Sequence, residues 1–359
     1  GGLRDIEQRT IRMVGRETLK ADPIRLLRGW RLRWQLNFEI EPETRASISE
    51  LAPLLRGEAG ERIRDELFKV LEMDCSPEAL WEASSLGLLF AVIPELEPLS
   101  RIPPDGYHHL DGLSHSIETV RQLGRALQED ALGPATRRMA RELREPAGHR
   151  FSRLARLRFC ALVHDVGKPA TAERDEEGYL HFYGHERVGA KMARGIAERL
   201  KFTARDAEAV ERIVKAHMRP CQLALEPIVT DRAKARLFRN LGDLTIEVLV
   251  LSYADRMAAR GPELEDWMVE RQVGLIRELS ERFFAWREMR ERRRLITGHD
   301  VMARYGLKPG PIVGQILRGV EEEQFSRGIS TKEEALKVAD KIARSLGVLK
   351  NDAPSGRES

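Results

Sequence analysis

Cysteine is scarce in this 359-residue chain, limited to Cys75, Cys160 and Cys221. The number is odd and no two form a C-x-x-C pair. A disulfide scaffold and a cysteine-built zinc site are therefore not expected, and a reducing cytoplasm suits the chain. No apolar run approaches the ~20 residues of a membrane span, so no membrane partner is expected. No secretory signal is visible. A strong charge of one sign is also missing: the formal net charge is +3 although 33% of residues are charged. No single field surrounds the molecule, but Arg outnumbers Lys and clusters locally, which is compatible with a nucleic-acid partner. The chain starts Gly-Gly rather than with Met and reads as a trimmed or fragmentary sequence.

What is present is helical periodicity, at a length sufficient for two or three domains. Residues 22–38 (DPIRLLRGWRLRWQLNF) place Asp22 as a helix N-cap and Pro23 at the first helical position. Leu27, Trp30 and Trp34 then form a buried stripe, while Arg25, Arg28 and Arg31 share another face. Amphipathic helices are predicted over 61–72 and 77–91. The proline-rich stretch 98–105 reads as a domain boundary. Next come a helix over 113–129, a polar loop or frayed helix over 130–150, and an apolar helix over 151–165 stopped by Gly167 and Pro169. Segment 173–184 (ERDEEGYLHFYG) predicts the one short β-hairpin, turning at Glu177-Gly178. Helices follow over 185–200, 204–217, 230–240, 243–259 and 267–294. In the tail Pro311 opens a helix, and Ser330-Thr331-Lys332-Glu333-Glu334 forms a capping box for the last. The predicted fold class is all-α, with a first helical region 1–75, a body segment 76–104, a helical bundle 105–262 and a helical tail 263–359.

The histidines carry the chemistry. His115, His164-Asp165, His185, His217 and Asp255 offer imidazole nitrogens and carboxylate oxygens, the donors a divalent transition metal or Mn²⁺ takes where thiolates are absent. Neighbours on a helix point about 100° apart, so His164 and Asp165 can reach one ion only near a helix end, which Gly167 supplies. His115 lies near the start of one helix and Asp255 near the end of another. The predicted metal ligands are His115, His164, Asp165 and Asp255, with positions left for water and a phosphate oxygen. Lys168, in HDVGKP, is placed to neutralise a phosphate. His185 and His217 either complete a second metal or act as acid and base. The predicted catalytic groups are thus Asp165, Lys168, His185 and His217. Other histidines receive plainer readings. His299-Asp300 follows Gly298 and caps a tail helix, His149 is solvated, and His181 sits on a strand face with Tyr179 and Tyr183. His108 and Asp111 are turn, cap or pocket-wall residues.

Several blocks together resemble a known family. Segment 22–38, ERIRDE at 61–66, YHHLDGLSHSIETV, LVHDVGKP, FYGHERVGAKM, ADRMAARG and GLKPGPIVGQIL with ISTKEEAL occur in the order found in bacterial class II tRNA nucleotidyltransferases and poly(A) polymerases. The likeness is to their C-terminal neck, body, HD phosphohydrolase domain and tail, and covers nearly the whole chain. It implies that Asp22 and Arg25, at the family's E-D-x-x-R, face the incoming nucleotide base, although the Glu position is Ala21 here. It also favours RNA contact, with the tRNA acceptor end as the partner, by Arg28, Arg31, Arg292, Arg293, Arg294 and Lys308.

The family's polymerase head carries a D-x-D pair, and no D-x-D occurs in this chain. The expectation drawn from residues and resemblance is a metal-dependent phosphohydrolase acting on a nucleotide or an RNA 3′ end with Mn, Ni, Co, Fe or Mg. On this reading the chain does not transfer nucleotides alone, and a separate or upstream head is one possible partner. The alternatives are a CCA- or poly(A)-adding enzyme whose head is absent from this chain, and a non-catalytic tRNA-binding adaptor.

Overall fold

Apolar residues recurring every three or four positions are buried by packing helix on helix, and the chain follows this rule throughout. The computed structural model describes residues 2–148, 151–291 and 295–349. Among these, helices dominate and the strands form three two-stranded pairs. The all-α expectation holds. The hairpin is present, with Glu173–Arg174 antiparallel to Leu180–His181 and Gly178 at φ 87° in its turn. Two other pairs went unseen in the sequence, Thr10–Ile11 with Glu39–Ile40 and Pro146–Ala147 with Phe151–Ser152. Two residues are too few for a period of two to register. No helix among the described residues is long and apolar enough to cross a membrane.

The chain divides into two units. One comprises residues up to Leu225 together with Asp243–Ser280; the other comprises Glu226–Gly242 and residues from Glu281 onward. At the centre of the first lies the helix Arg153–Val163, in which every residue from Ala155 to Val163 is buried. A helix buried on all sides must neutralise any charge it carries. Arg156 is met by Asp206 and Glu247, each at 2.8 Å. Arg158 donates to the carbonyls of Leu71 and Met73 and to Asp74, at 2.7, 2.9 and 3.0 Å. Six helices pack on this axis: Gly60–Leu71, Thr136–Leu143 and the four that matter for the site, Gly112–Gln128, His185–Arg199, Ala204–Ala216 and Thr245–Ala258. Those four and the end of the central helix carry the histidines and aspartates singled out above.

Local readings differ from the structure at three places. Asp22 does not cap a helix. It ends the short helix Arg16–Ala21, and the helix Ile24–Leu36 begins without a side-chain cap. Its carboxylate is drawn instead to Arg62 at 2.7 Å and Arg25 at 3.2 Å, where both partners of each bond are charged. The helix predicted over 77–91 is broken into Ser76–Ser85 and Leu88–Val92, with Gly87 left-handed at φ 74° between them. Within 130–150 a real helix, Thr136–Leu143, is held by buried Thr136, Met139 and Leu143. That stripe is too narrow to stand out among the arginines.

The second unit packs Ile296, Val301, Val313, Ile316 and Val320 against Ala335, Ala339 and Ala343. Its helices include Asp231–Leu241, Gly298–Tyr305, Pro311–Arg327 and Lys332–Ser345. The Thr331–Glu334 capping box forms as expected, and Asp300 takes part in a second with Thr297. The helix predicted over 267–294 is Asp266–Glu291. Arg292, Arg293, Arg294 and His149 lie outside the described residues.

Candidate metal centre

The site is assembled by a close approach of two backbones. A Cβ on Gly167 would lie 2.3 Å from the carbonyl oxygen of His185 and 2.5 Å from the nitrogen of Gly189. Only glycine lets the turn after Asp165 press against the first turn of the helix His185–Arg199. This contact brings His185 within 3.3 Å of Asp165 Oδ1. His217, at the end of the helix Ala204–Ala216, lies 3.9 Å from the same oxygen. On the other side, Asp165 Oδ2 lies 3.3 Å from His164 Nε2 and 3.9 Å from His115 Nε2. Asp255, near the end of its helix, reaches His115 at 2.9 Å and His164 at 3.6 Å. Asp165 therefore stands between two groups, His115–His164–Asp255 and His185–His217.

The imidazoles are pre-oriented. His164, His185 and His217 each direct Nδ1 at the carbonyl three residues earlier, Ala161 at 2.8 Å, Phe182 at 2.8 Å and Val214 at 2.6 Å. A ring that donates Nδ1–H to a carbonyl turns its Nε2 toward the site, and once any proton there is lost this is the state a metal requires. The Nε2 atoms of all three are buried without a hydrogen-bond partner, as is Asp165 Oδ2. Orphaned buried polar atoms are costly, and four around one point mean the site is built for something further. Ligands at ~2.0–2.2 Å from an ion lie roughly 3–3.5 Å apart at tetrahedral or octahedral angles. The separations of 2.9–3.9 Å fit a divalent cation. Candidate ligand sets within 4.8 Å include His115–His164–Asp165, His164–His217–Asp255 and Asp165–His185–His217.

Charge inside the cluster is balanced. Burial opposes ionisation of Asp165 and Asp255, but His164, Lys168 and His115 hold both carboxyls well below the usual range. Burial also works against a charge on His164, yet Asp165 and Asp255 raise it to about 10. His185 is raised by Asp165 against the same burial cost. His115 and His217 are pushed down to about 4, chiefly by burial. Lys168 Nζ lies 2.7 Å from Asp165 Oδ2, without the angle of a hydrogen bond, and its charge is held by that carboxylate against burial. Its ammonium, expected to meet a phosphate, is thus first of all the counter-ion of Asp165. The cluster floors a cavity of about 970 Å³ that is also lined by Lys168, Tyr179, Tyr183 and Trp267.

The nucleotide- and RNA-facing candidates lie elsewhere. Asp22 and Arg25 form a pair held by Arg62, a residue of ERIRDE whose partner the sequence did not reveal. Arg31 is turned inward to Glu66 at 2.5 Å, with Arg28 at 3.6 Å from the same carboxylate. Glu66 was legible in principle, since it interrupts the apolar stripe of Ile63, Leu67 and Val70. Lys308, on the second unit, is exposed.

Comparison with known proteins places this geometry. Residues 112–260 match the HD domain family, residues 37–99 a family described as a probable RNA and SrmB-binding site of polymerase A, and residues 276–339 tRNA nucleotidyltransferase domain 2. An A-adding tRNA nucleotidyltransferase of Deinococcus radiodurans is 34% identical over 93% of this chain and 71% of its own length. A CC-adding tRNA nucleotidyltransferase of Thermus thermophilus is 32% identical over 93% and 70%. The fold is similar to that of a CCA-adding enzyme solved with ATP (TM-score 0.59, 15% identity, 98% of this chain and 66% of that one). It is also similar to that of the Thermotoga maritima CCA-adding enzyme solved with tRNA (TM-score 0.56, 15% identity, 96% and 66%). These matches overturn the expectation of a phosphohydrolase, and with it the expectation that nucleotidyl transfer is foreign to the chain. The relatives that run along nearly all of it are named nucleotidyltransferases, and the HD match covers only residues 112–260 of this chain. The chain belongs to the tRNA nucleotidyltransferase family.

Proposed function

We propose that this protein extends the 3′ ends of tRNA by nucleotide addition and that its HD region holds divalent metal. The observation that carries the first part is the 34% identity to an A-adding enzyme across 93% of the chain. In this reading Asp22 and Arg25 meet the base of the incoming nucleotide, and Arg62 keeps Asp22 oriented. Arg28, Lys308 and the run Arg292, Arg293, Arg294 contact tRNA phosphates. Arg31, already engaged by Glu66, supports the helix from behind.

The donor set supports the second part. His115, His164, Asp165 and Asp255 would hold one ion, and Asp165 Oδ1 with His185 and His217 a second. Nitrogen-rich donors favour Mn, Co, Ni or Fe over Mg, which prefers oxygen. A bound divalent ion supplies a charge that polarises a phosphate oxygen or water. Lys168 keeps Asp165 ionised and faces the cavity beside it.

The test is made on the cell and on the protein purified from it. Disrupting the gene should leave tRNAs short of their 3′-terminal nucleotides, and the purified protein should add labelled CMP or AMP to such tRNAs. Arg25→Ala should alter the preference between CTP and ATP. Complete tRNA ends in the disrupted strain, with no incorporation by the purified protein, would overturn the proposal.

A further inference from the structure

Next to the cluster a loop is built with unusual care around one histidine. The Asp105 carboxylate accepts hydrogen bonds from the backbone nitrogens of Tyr107 and His108, at 2.8 and 2.7 Å. It also meets His108 Nδ1, at 2.9 Å through one oxygen and 3.0 Å through the other. The loop is stitched to the segment after the Asp255 helix, with Gly261 N donating to the Tyr107 carbonyl at 2.8 Å and Glu263 N to that of Gly106 at 2.7 Å. A Cβ at Gly261 would lie 2.3 Å from the Gly106 oxygen, and one at Gly106 would strike the Glu263 carboxylate. Gly261 meets backbone and is needed for the approach, while Gly106 meets the movable end of a side chain; the two backbone hydrogen bonds mount His108 and Asp255 on one piece of structure.

The ring of His108 stands edge-on to His115, with centroids 4.7 Å apart. One nitrogen of His108, one of His115 and an oxygen of Asp255 lie within 4.8 Å of one another. With Nδ1 engaged by Asp105, Nε2 is the nitrogen left to coordinate. This repeats the orientation of His164, His185 and His217, with a carboxylate in place of the backbone carbonyl. Carboxylate-backed imidazoles are a standard device for fixing a metal-ligating ring and raising its basicity.

We propose that His108 is a further ligand of the metal centre on its His115–Asp255 side, with Asp105 its positioning residue. This rests on the reading of His115, His164, Asp165 and Asp255 as metal ligands. The experiment is a Co²⁺ titration of the metal-free full chain, followed by the visible absorption of the bound ion, for the unaltered protein and five variants. His108→Ala should weaken Co²⁺ binding by at least the ~100-fold known for loss of an outer partner of a metal site and shift the absorption band, because one imidazole is lost. His108→Gln, which preserves bulk, should show the same shift. Asp105→Asn should act in the same direction by less. His109→Ala, changing an exposed neighbour, should leave affinity and band unchanged. His164→Ala should abolish binding. Loss in His164→Ala with unaltered affinity and band in His108→Ala overturns this proposal alone. No Co²⁺ binding by the unaltered chain overturns the metal reading and this proposal with it.

Discussion

Charged side chains crowd the corner formed by Asp22, Arg25, Arg62 and Glu66 much as they crowd the turn at His164–Asp165, yet the two clusters are built in opposite ways. In the first, opposite charges meet directly. Asp22 has two guanidinium partners, and Glu66 has Arg31, Arg28 and Lys69 within 2.5, 3.6 and 3.4 Å. In the second, Lys168 also meets Asp165 at 2.7 Å, but the buried Nε2 atoms of His164, His185 and His217 and Asp165 Oδ2 have no hydrogen-bond partner. A satisfied cluster can be explained by the fold it supports. An unsatisfied one costs stability, and a protein tolerates that cost where something else is to be bound. The difference separates Glu66 and Arg31, which brace the structure, from the buried nitrogens around Asp165, which the proposed metal would satisfy; Asp22 and Arg25 are paired but keep enough exposure to meet a nucleotide as well.

The largest expected effect comes from removing the residue shared by both halves of the unsatisfied cluster. Asp165→Ala should weaken Mn²⁺ or Co²⁺ binding by more than the ~100-fold seen when outer partners of a metal site are lost, measured by metal content after dialysis. Retention of the full metal complement would show that Asp165 is a structural counter-ion of Lys168 and nothing more. Glu66→Ala is the mirror experiment. It leaves the half-buried Arg31 with Gln35 as its remaining side-chain partner, which should cost about 1–3 kcal/mol and lower the melting temperature by several degrees, with metal affinity untouched. If the two variants instead share one phenotype, the contrast between the clusters is not functional.

A third test uses protons. His164 is held at about 10 by Asp165 and Asp255 against its burial, so in the metal-free protein it is protonated at neutral pH. A metal takes only the neutral ring. Binding must therefore release a proton, and affinity should rise by about tenfold per pH unit between pH 6 and 9, levelling only as pH approaches 10. His115 and His217, near 4, are already neutral and release none. Calorimetry in buffers of different protonation enthalpy counts the protons. A count of zero would mean the acids do not hold His164 charged.

How much of this was legible without coordinates follows the range of the signals involved. The hairpin, the Thr331 cap and the helices carrying His115, His164, His185, His217 and Asp255 were visible because each rests on a pattern within a few residues. The family resemblance added Asp22 and Arg25. The sequence did not show what depends on distant partners: Arg62 reaching back forty residues to Asp22, Glu66 under Arg31, and the loop at Asp105–His108 tied to Gly261. It also misled about function, because a well-formed histidine–aspartate set points to hydrolysis by itself, whereas the resemblance along nearly the whole chain points to nucleotide transfer. The strongest local chemistry in a chain need not name its activity.

The smallest effect is expected where the two regimes touch. Asp105 and His108 form a satisfied pair lying against the unsatisfied centre. Burial raises the Asp105 carboxyl, but its bonds to His108 and to two backbone nitrogens outweigh this and bring it down to about 2. A carboxyl lowered from ~3.9 contributes stability that is fully present above pH 4 and lost as pH falls through 2. The amides of Tyr107 and His108, which donate to that carboxylate, should be protected from hydrogen exchange above pH 4, after correction for intrinsic rates. Protection should fall between pH 4 and 2, and in Asp105→Asn it should be weak at every pH. The helix amides of Arg153–Val163, which owe nothing to Asp105, serve as the internal standard. Protection at Tyr107 and His108 that tracks those core amides throughout would mean the loop is held by its bonds to Gly261 and Glu263 alone. The carboxylate would then orient the imidazole without holding the loop.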